Sequence, residues 1–272
     1  MEQNMQEVMK KAEVLIEALP YIQKFNGKVI VVKYGGSAMS NEELQKNVIK
    51  DVTLLKLVGF KPIIVHGGGK EISNMVTKLG MEPKFINGLR VTDKETMEIA
   101  EMVLGKVNKS LVNLLQSKGG KAIGLCGMDG HMLKAKPLDK KLGFVGEVTE
   151  VNTAPILDVL EKGYIPVVST VGCDKEGNVY NINADTAAAF IAGAMEAECL
   201  ISMTDIAGVL EDKDDPETLI PKITVSEAKE LFKKGIISGG MIPKIECCLE
   251  AIEKGVKKVF IMDGRVPHSL LI

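Results

Sequence analysis

The chain has 272 residues, 46% of them hydrophobic and 26% charged, with a formal net charge of −2. That is enough apolar chain for one large α/β domain or two modest ones, and it carries no basic stripe of the kind nucleic acid needs. Cys126, Cys173, Cys199, Cys247 and Cys248 show neither CxxC spacing nor paired histidines, which speaks against a disulfide framework and against a protein-held metal. The N-terminus lacks a charged-then-apolar leader profile and no apolar run reaches membrane-spanning length, so the expected location is the cytoplasm, without a membrane partner.

From the N-terminus, apolar side chains at Met5, Val8, Met9, Ala12, Leu15, Ile16, Leu19, Ile22 and Phe25 follow helical three-and-four spacing. Pro20 falls inside this stripe, removes a backbone donor and crowds the preceding turn, so a kink or break is expected near Leu19. Periodicity alone favours a helix packed on its own domain over a partner-binding arm.

Next comes Val29-Ile30-Val31-Val32-Lys33-Tyr34-Gly35-Gly36-Ser37, a β-branched run that reads as a buried strand ending in a lysine and two glycines. Pro62 to His66, followed by Gly67-Gly68-Gly69, repeats the layout. Capping boxes are expected at Ser40/Glu43, Thr92/Glu95 and Thr224/Glu227, opening helices that end near Gly59, Ser117 and Gly235. Lys70 to Leu79 reads as a further helix stopped by Gly80. Met132 to Val151, interrupted by Gly143 and Gly146, suggests an antiparallel hairpin over a cleft. Thr153 to Lys162 is a short helix with Pro155 in its first turn, Tyr164 to Val171 a buried strand, and Asp174 to Asn178 a turn. Asn181-Ile182-Asn183-Ala184-Asp185 opens an alanine-rich helix, and Leu200 to Thr204 is a strand leading into Asp205. The acidic segment Glu211 to Glu217 is a solvated loop, and Gly239 to Lys244 starts a helix with Pro243 in its first turn. Strands alternating with helices in this way predict an open, mainly parallel sheet sandwiched between helices.

Backbone N–H groups of a glycine turn at a helix N-terminus bind phosphate through convergent donors and the helix dipole. One such turn is better explained by a tight strand-to-helix connection; two copies beside a strand-end lysine reverse that preference and point to a polyanion. Gly69-Lys70 is followed by Glu71 rather than Ser or Thr, and no GxGxxG occurs, so neither a P-loop nor a dinucleotide fold is indicated. Phosphoryl transfer on another architecture fits, because it needs little beyond in-line positioning and cationic neutralisation. Lys33 and Lys244 are the candidate cations, Arg90 a candidate carboxylate clamp, and Asp185 either an organiser of both lysines or a helix cap. His66 reads as a hydrogen-bonded residue before a turn.

Lys33-Tyr34-Gly35-Gly36, His66-Gly67-Gly68-Gly69, Gly88-Leu89-Arg90-Val91-Thr92, Asn181-Ile182-Asn183-Ala184-Asp185, Thr204 to Val209 and Gly240-Met241-Ile242-Pro243-Lys244 together resemble the amino acid kinase family, and within it the acetylglutamate kinases, over about Lys28 to Leu270. The resemblance implies transfer of the γ-phosphoryl group of ATP, with Mg2+ carried by its phosphates, to the side-chain carboxylate of N-acetyl-L-glutamate, the second step of arginine biosynthesis. It implies that Lys33 and Lys244 stabilise the transition state, that Asp185 organises them, and that Gly68, Gly69, Arg90 and Asn181 hold the acetylated substrate. Gly35 and Gly36 would bind ATP, Gly36 facing the γ-phosphate, while Asp205, Ile206, Ala207, Gly208, Val209, Leu210, Ile236, Ile237 and Ser238 would line the nucleotide site.

It also implies three parts: an N-terminal helical arm over 1–27, an acetylglutamate-binding lobe over 28–180 and a nucleotide-binding lobe over 181–272. Arginine-inhibited members have a kinked N-terminal helix that joins dimers into a hexamer, a trimer of dimers, so the arm reading of the first helix leads, with feedback inhibition by arginine. Such members continue past the stretch matching His268-Ser269-Leu270 with a segment that helps form the arginine site, whereas this sequence stops at Ile272, which bears on inhibition and not on catalysis. The alternatives are another amino-acid or carbamate kinase of the same family, or a non-catalytic amino-acid sensor.

Overall fold

The computed structural model describes residues 2–36, 39 and 41–271. Helix α1 (Glu2–Phe25) runs through Pro20 without the break expected near Leu19, since the proline withdraws a single N–H while the turns on either side stay helical. Strand and helix then alternate through β1 (Val29–Tyr34), α2 (Glu42–Leu57), β2 (Lys61–His66) and α3 (Gly69–Lys78). A two-stranded ribbon, β3 (Phe85–Ile86) and β4 (Leu89–Arg90), precedes α4 (Lys94–Ser117) and β5 (Ala122–Cys126). The expected hairpin is present as β6 (Leu133–Pro137) and β7 (Gly146–Val151), followed by α5 (Ala154–Glu161) with its early proline.

The single strand predicted over Tyr164 to Val171 is two, β8 (Ile165–Ser169) and β9 (Val171–Cys173), because the chain crosses from one sheet to another at Thr170. Strand β10 (Val179–Asn181), α6 (Ala184–Ala194), β11 (Cys199–Thr204), α7 (Val225–Lys233), α8 (Met241–Glu253) and β12 (Lys258–Asp263) complete the order.

The main sheet has six strands in the order β12-β11-β1-β2-β8-β5, with parallel neighbours throughout. Helices cover both faces, which is why its strands are apolar on both sides. Val31, Ile63 and Val65 pack on the alanine-rich α6, whereas Ile30, Val32 and Ile64 pack against α2 and α4. A smaller sheet, β10-β9-β6-β7, lies beyond the C-terminal end of β8. Strands β11 and β12 belong to the same sheet as β1, so the change of pattern near Asn181 does not interrupt the sheet.

Two helix starts differ from expectation. Ser40 lies outside the described residues, and Asn41 caps α2, its Oδ1 accepting from the N–H groups of Glu43 at 2.9 Å and Leu44 at 3.1 Å. Asp93 rather than Thr92 caps α4, accepting from Thr96 N–H at 2.8 Å. Thr92 is fully buried, with its backbone bonded to Leu142 and Phe144 and its hydroxyl donating to the Arg90 carbonyl, so no Thr92/Glu95 box forms. The Thr224/Glu227 box at α7 forms as predicted. No described helix is long and apolar enough to cross a membrane.

Candidate active site

Successive strand residues face opposite sides of a sheet, so Lys33 shares a face with Val31, which packs on α6. At the strand end Lys33 therefore meets the first turn of α6, where its Nζ lies 2.9 Å from Asp185 Oδ1 and donates to the Met203 carbonyl at 3.4 Å. Asn183 caps α6 through its own Oδ1, accepting from Asp185 and Thr186 N–H. That leaves the Asp185 carboxylate free of the capping role the sequence left open.

Lys244, in the first turn of α8, approaches from the other side with Nζ 3.8 Å from Asp185 Oδ2. Small side chains make this possible. Ala188, Ala189 and Ala192 of α6 are fully buried, and a Cβ at Gly193 would come 2.5 Å from the Lys254 Cβ, so α6 and α8 pack almost backbone to backbone. Cys247 meets Thr186 across the same interface at 3.7 Å. Burial pushes the Asp185 carboxyl up, but the charges of Lys33 and Lys244 and the hydrogen bonds from Lys33 and Ser202 outweigh it and hold the group below the usual carboxylate range. Burying three charges together is a poor way to stabilise a fold, and such clusters mark functional sites.

A cleft of about 230 Å³ opens in front of Lys33, and Gly35, Gly36, Gly68, Gly69, Arg90, Asn181 and Asp185 all line it. Seven of the sequence-predicted residues thus join Lys33 around one space. The second glycine turn packs closely behind it: a Cβ at Gly67 would lie 3.1 Å from Ala184 and one at Gly68 3.0 Å from Leu104, while one at Gly69 would meet open space. Gly36 has φ +68°, and a side chain there would collide with the Asp205 carboxylate, so only glycine fits.

Arg90 is 8% exposed at the far wall. Its Nη2 donates to the Gly69 carbonyl and to Ser73 Oγ, both at 2.7 Å, and its guanidinium stacks 4.7 Å above the Phe85 ring. Its Nη1 is buried without a hydrogen-bond partner, an arrangement suited to an incoming carboxylate. Asn181 donates to Thr92 at 3.4 Å. Lys70 and Glu71 also line the cleft. Counted with Lys244, four cations face two carboxylates, which favours a polyanionic occupant.

Asp205, Ile206, Ala207, Gly208, Val209, Leu210, Ile236, Ile237 and Ser238 lie outside this cleft's lining. Val209 and Ile237 are core residues packed with Ala228 and Ile245, whereas Ile206 and Ser238 are exposed. Asp205 connects this region to the cleft through its close approach to Gly36. His66 is a structural residue, as expected. It is fully buried, its Nδ1 bonds the Gly67 carbonyl and its Nε2 faces the Asn108 amide, and burial lowers its pKa to about 4.

Ser202 and Ser73 were not singled out by sequence reasoning. Ser202 is a hydroxyl in an apolar strand, a weak signal, and Ser73 has none. Among the described residues no set of three or more His, Cys, Asp or Glu side chains converges to hold a metal.

A twisted parallel sheet with a cationic, glycine-lined cleft at the C-terminal ends of its strands defines a phosphoryl-transfer class, and residues 28–263 match the amino acid kinase family. The chain is 58% identical to the acetylglutamate kinase of Brachyspira hyodysenteriae, over 96% of this chain and 92% of that protein. It is 55% identical to that of Clostridium beijerinckii, over 97% and 94%. It therefore belongs to the acetylglutamate kinases of the amino acid kinase family. The N-acetylglutamate synthase of Neisseria gonorrhoeae, solved with coenzyme A and N-acetyl-glutamate, superposes with a TM-score of 0.82 at 24% identity; the overlap spans 94% of this chain and 59% of the synthase.

Proposed function

We propose that the chain transfers the γ-phosphoryl group of ATP to the side-chain carboxylate of N-acetyl-L-glutamate, giving N-acetyl-L-glutamyl 5-phosphate and ADP, the second step of arginine biosynthesis. The observation that carries this reading is the Lys33–Asp185–Lys244 bridge set across one cleft from the buried, unpartnered Nη1 of Arg90. A carboxylate oxygen of the acceptor attacks the γ-phosphorus as the bond to the β,γ-bridging oxygen breaks, and negative charge spreads over the transferring group. Lys33 and Lys244 neutralise that charge, and Asp185 holds them at the right separation. Arg90, Asn181 and the N–H groups of Gly68 and Gly69 orient the acceptor. Gly35 and Gly36 face the γ-phosphate, and the segments 205–210 and 236–238 receive the nucleotide.

Asp185 is already engaged by two lysines, so a magnesium ion fits here only as the companion of the ATP phosphates. Bound that way, it would offset their charge. In this reading the lobes 28–180 and 181–272 carry acceptor and nucleotide respectively, in the cytoplasm. Helix α1 is an arm that joins dimers into a hexamer, because Met9, Leu15, Ile16 and Tyr21 are more than half exposed on it; arginine inhibition would act through that assembly. The test is ADP release that depends on N-acetyl-L-glutamate: activity well above that of Lys33→Ala is expected, and equal rates would overturn the reading.

A further inference from the structure

Ser202 lies on β11 directly beside Lys33 in the parallel ladder, within an apolar run, and is 6% exposed. Leu200, two residues earlier on the same strand face, packs in the α6 core, so Ser202 points to the α6 side as Lys33 does. There its Oγ lies 3.1 Å from Asp185 Oδ1, the oxygen that also takes Lys33 Nζ at 2.9 Å. An ionised carboxylate only accepts, so the serine hydroxyl donates. Met203, the next residue, supplies the carbonyl that receives Lys33 Nζ at 3.4 Å. Strand β11 thereby holds both members of the Lys33–Asp185 pair.

We propose that Ser202 is a positioning residue for phosphoryl transfer: its hydroxyl fixes the Asp185 carboxylate so that one oxygen serves Lys33 and the other Lys244. This rests on Asp185 acting as the bridge between the two lysines. Lys33 and Lys244 are long, flexible side chains and cannot alone set the carboxylate's rotation, whereas Ser202 is anchored in the sheet. Without it, Oδ2 can turn away from Lys244, whose contact at 3.8 Å is already the looser one. The loss then appears in the chemical step more than in substrate binding.

The experiment compares Ser202→Ala, Ser202→Thr and Asp185→Asn in the full chain, with N-acetyl-L-glutamate and MgATP as substrates. Ser202→Ala is expected to lower kcat about tenfold, with KM for both substrates within about twofold, as for loss of one hydrogen bond to a charged group. The acid limb of its kcat–pH profile moves to higher pH, because the carboxylate has lost a donor. Ser202→Thr, which keeps the hydroxyl, recovers most of the rate.

A Ser202→Ala enzyme with unchanged kcat and pH profile, beside an inactive Asp185→Asn, overturns the role of Ser202 while leaving that of Asp185 standing. Loss of rate in both Ala and Thr variants with a matching fall in Tm reduces Ser202 to packing and also overturns the proposal. Full activity in Asp185→Asn removes the underlying reading of the bridge.

Discussion

Lys33 and Arg90 are the residues on which the account turns, and each has a separable effect. Lys33→Ala leaves a buried carboxylate short of a partner and deletes a transition-state cation; kcat is expected to fall by about two to three orders of magnitude in an ADP-release assay. Arg90→Lys keeps the charge but loses the fork that binds Gly69 and Ser73 with one nitrogen and leaves the other buried without a partner. KM for the acceptor should rise at least about tenfold while KM for ATP stays near its original value. His66 makes a prediction about pH rather than catalysis. Its folded-state pKa of about 4 lies below the unfolded value, so the native protein refuses a proton that the unfolded chain accepts. The stability contributed by a neutral His66 is therefore fully present well above about pH 6.5 and is lost as pH falls towards about 4. Denaturant titrations at pH 7.5 and 5.0 should show His66→Gln losing about 2 kcal/mol less than the original chain between those values. An equal loss in both would show that His66 does not set the acid slope.

At the scale of elements, the site depends on α6 and α8 lying close enough for Asp185 and Lys244 to meet. Gly193→Ala inserts a Cβ against Lys254 and is expected to cost about 1–3 kcal/mol in urea unfolding, together with a drop in kcat as Lys244 is pushed away. Stability loss without a change in kcat would separate helix packing from the position of Lys244. Much of this layer was legible in the sequence. The β-branched run ending in Lys33, the three glycines after His66, the alanine-rich helix and the Thr224/Glu227 box all follow from local propensity, and each formed where expected. The failures have physical causes. Thr92 could not cap a helix because tertiary contacts with Leu142 and Phe144 buried it, and an adjacent aspartate was available. The run from Tyr164 to Val171 looks continuous because the two sheets it serves are equally apolar. Ser73 reached the site by folding α3 against β4, a contact no local pattern announces.

For the whole molecule, the six-stranded sheet unites residues that lie far apart in the chain, and the cleft forms where β1, β2 and β8 end at the same edge. Helix α1 stands apart from this, with Leu15 at 72% and Ile16 at 69% exposed. Deleting residues 1–25 should reduce a hexamer to a dimer in light scattering with the ADP-release rate retained; an unchanged mass would remove the arm from assembly. What the whole molecule does is tested most directly by trapping its product. An acyl phosphate reacts with hydroxylamine to give a hydroxamate, so the chain, MgATP, hydroxylamine and one acceptor at a time can be assayed by mass spectrometry. A hydroxamate is expected from N-acetyl-L-glutamate, strongly reduced in Lys33→Ala, with little hydroxamate from free glutamate or aspartate and little hydroxyurea from carbamate. No hydroxamate above the Lys33→Ala background, or an equal yield from free glutamate, would contradict this reading.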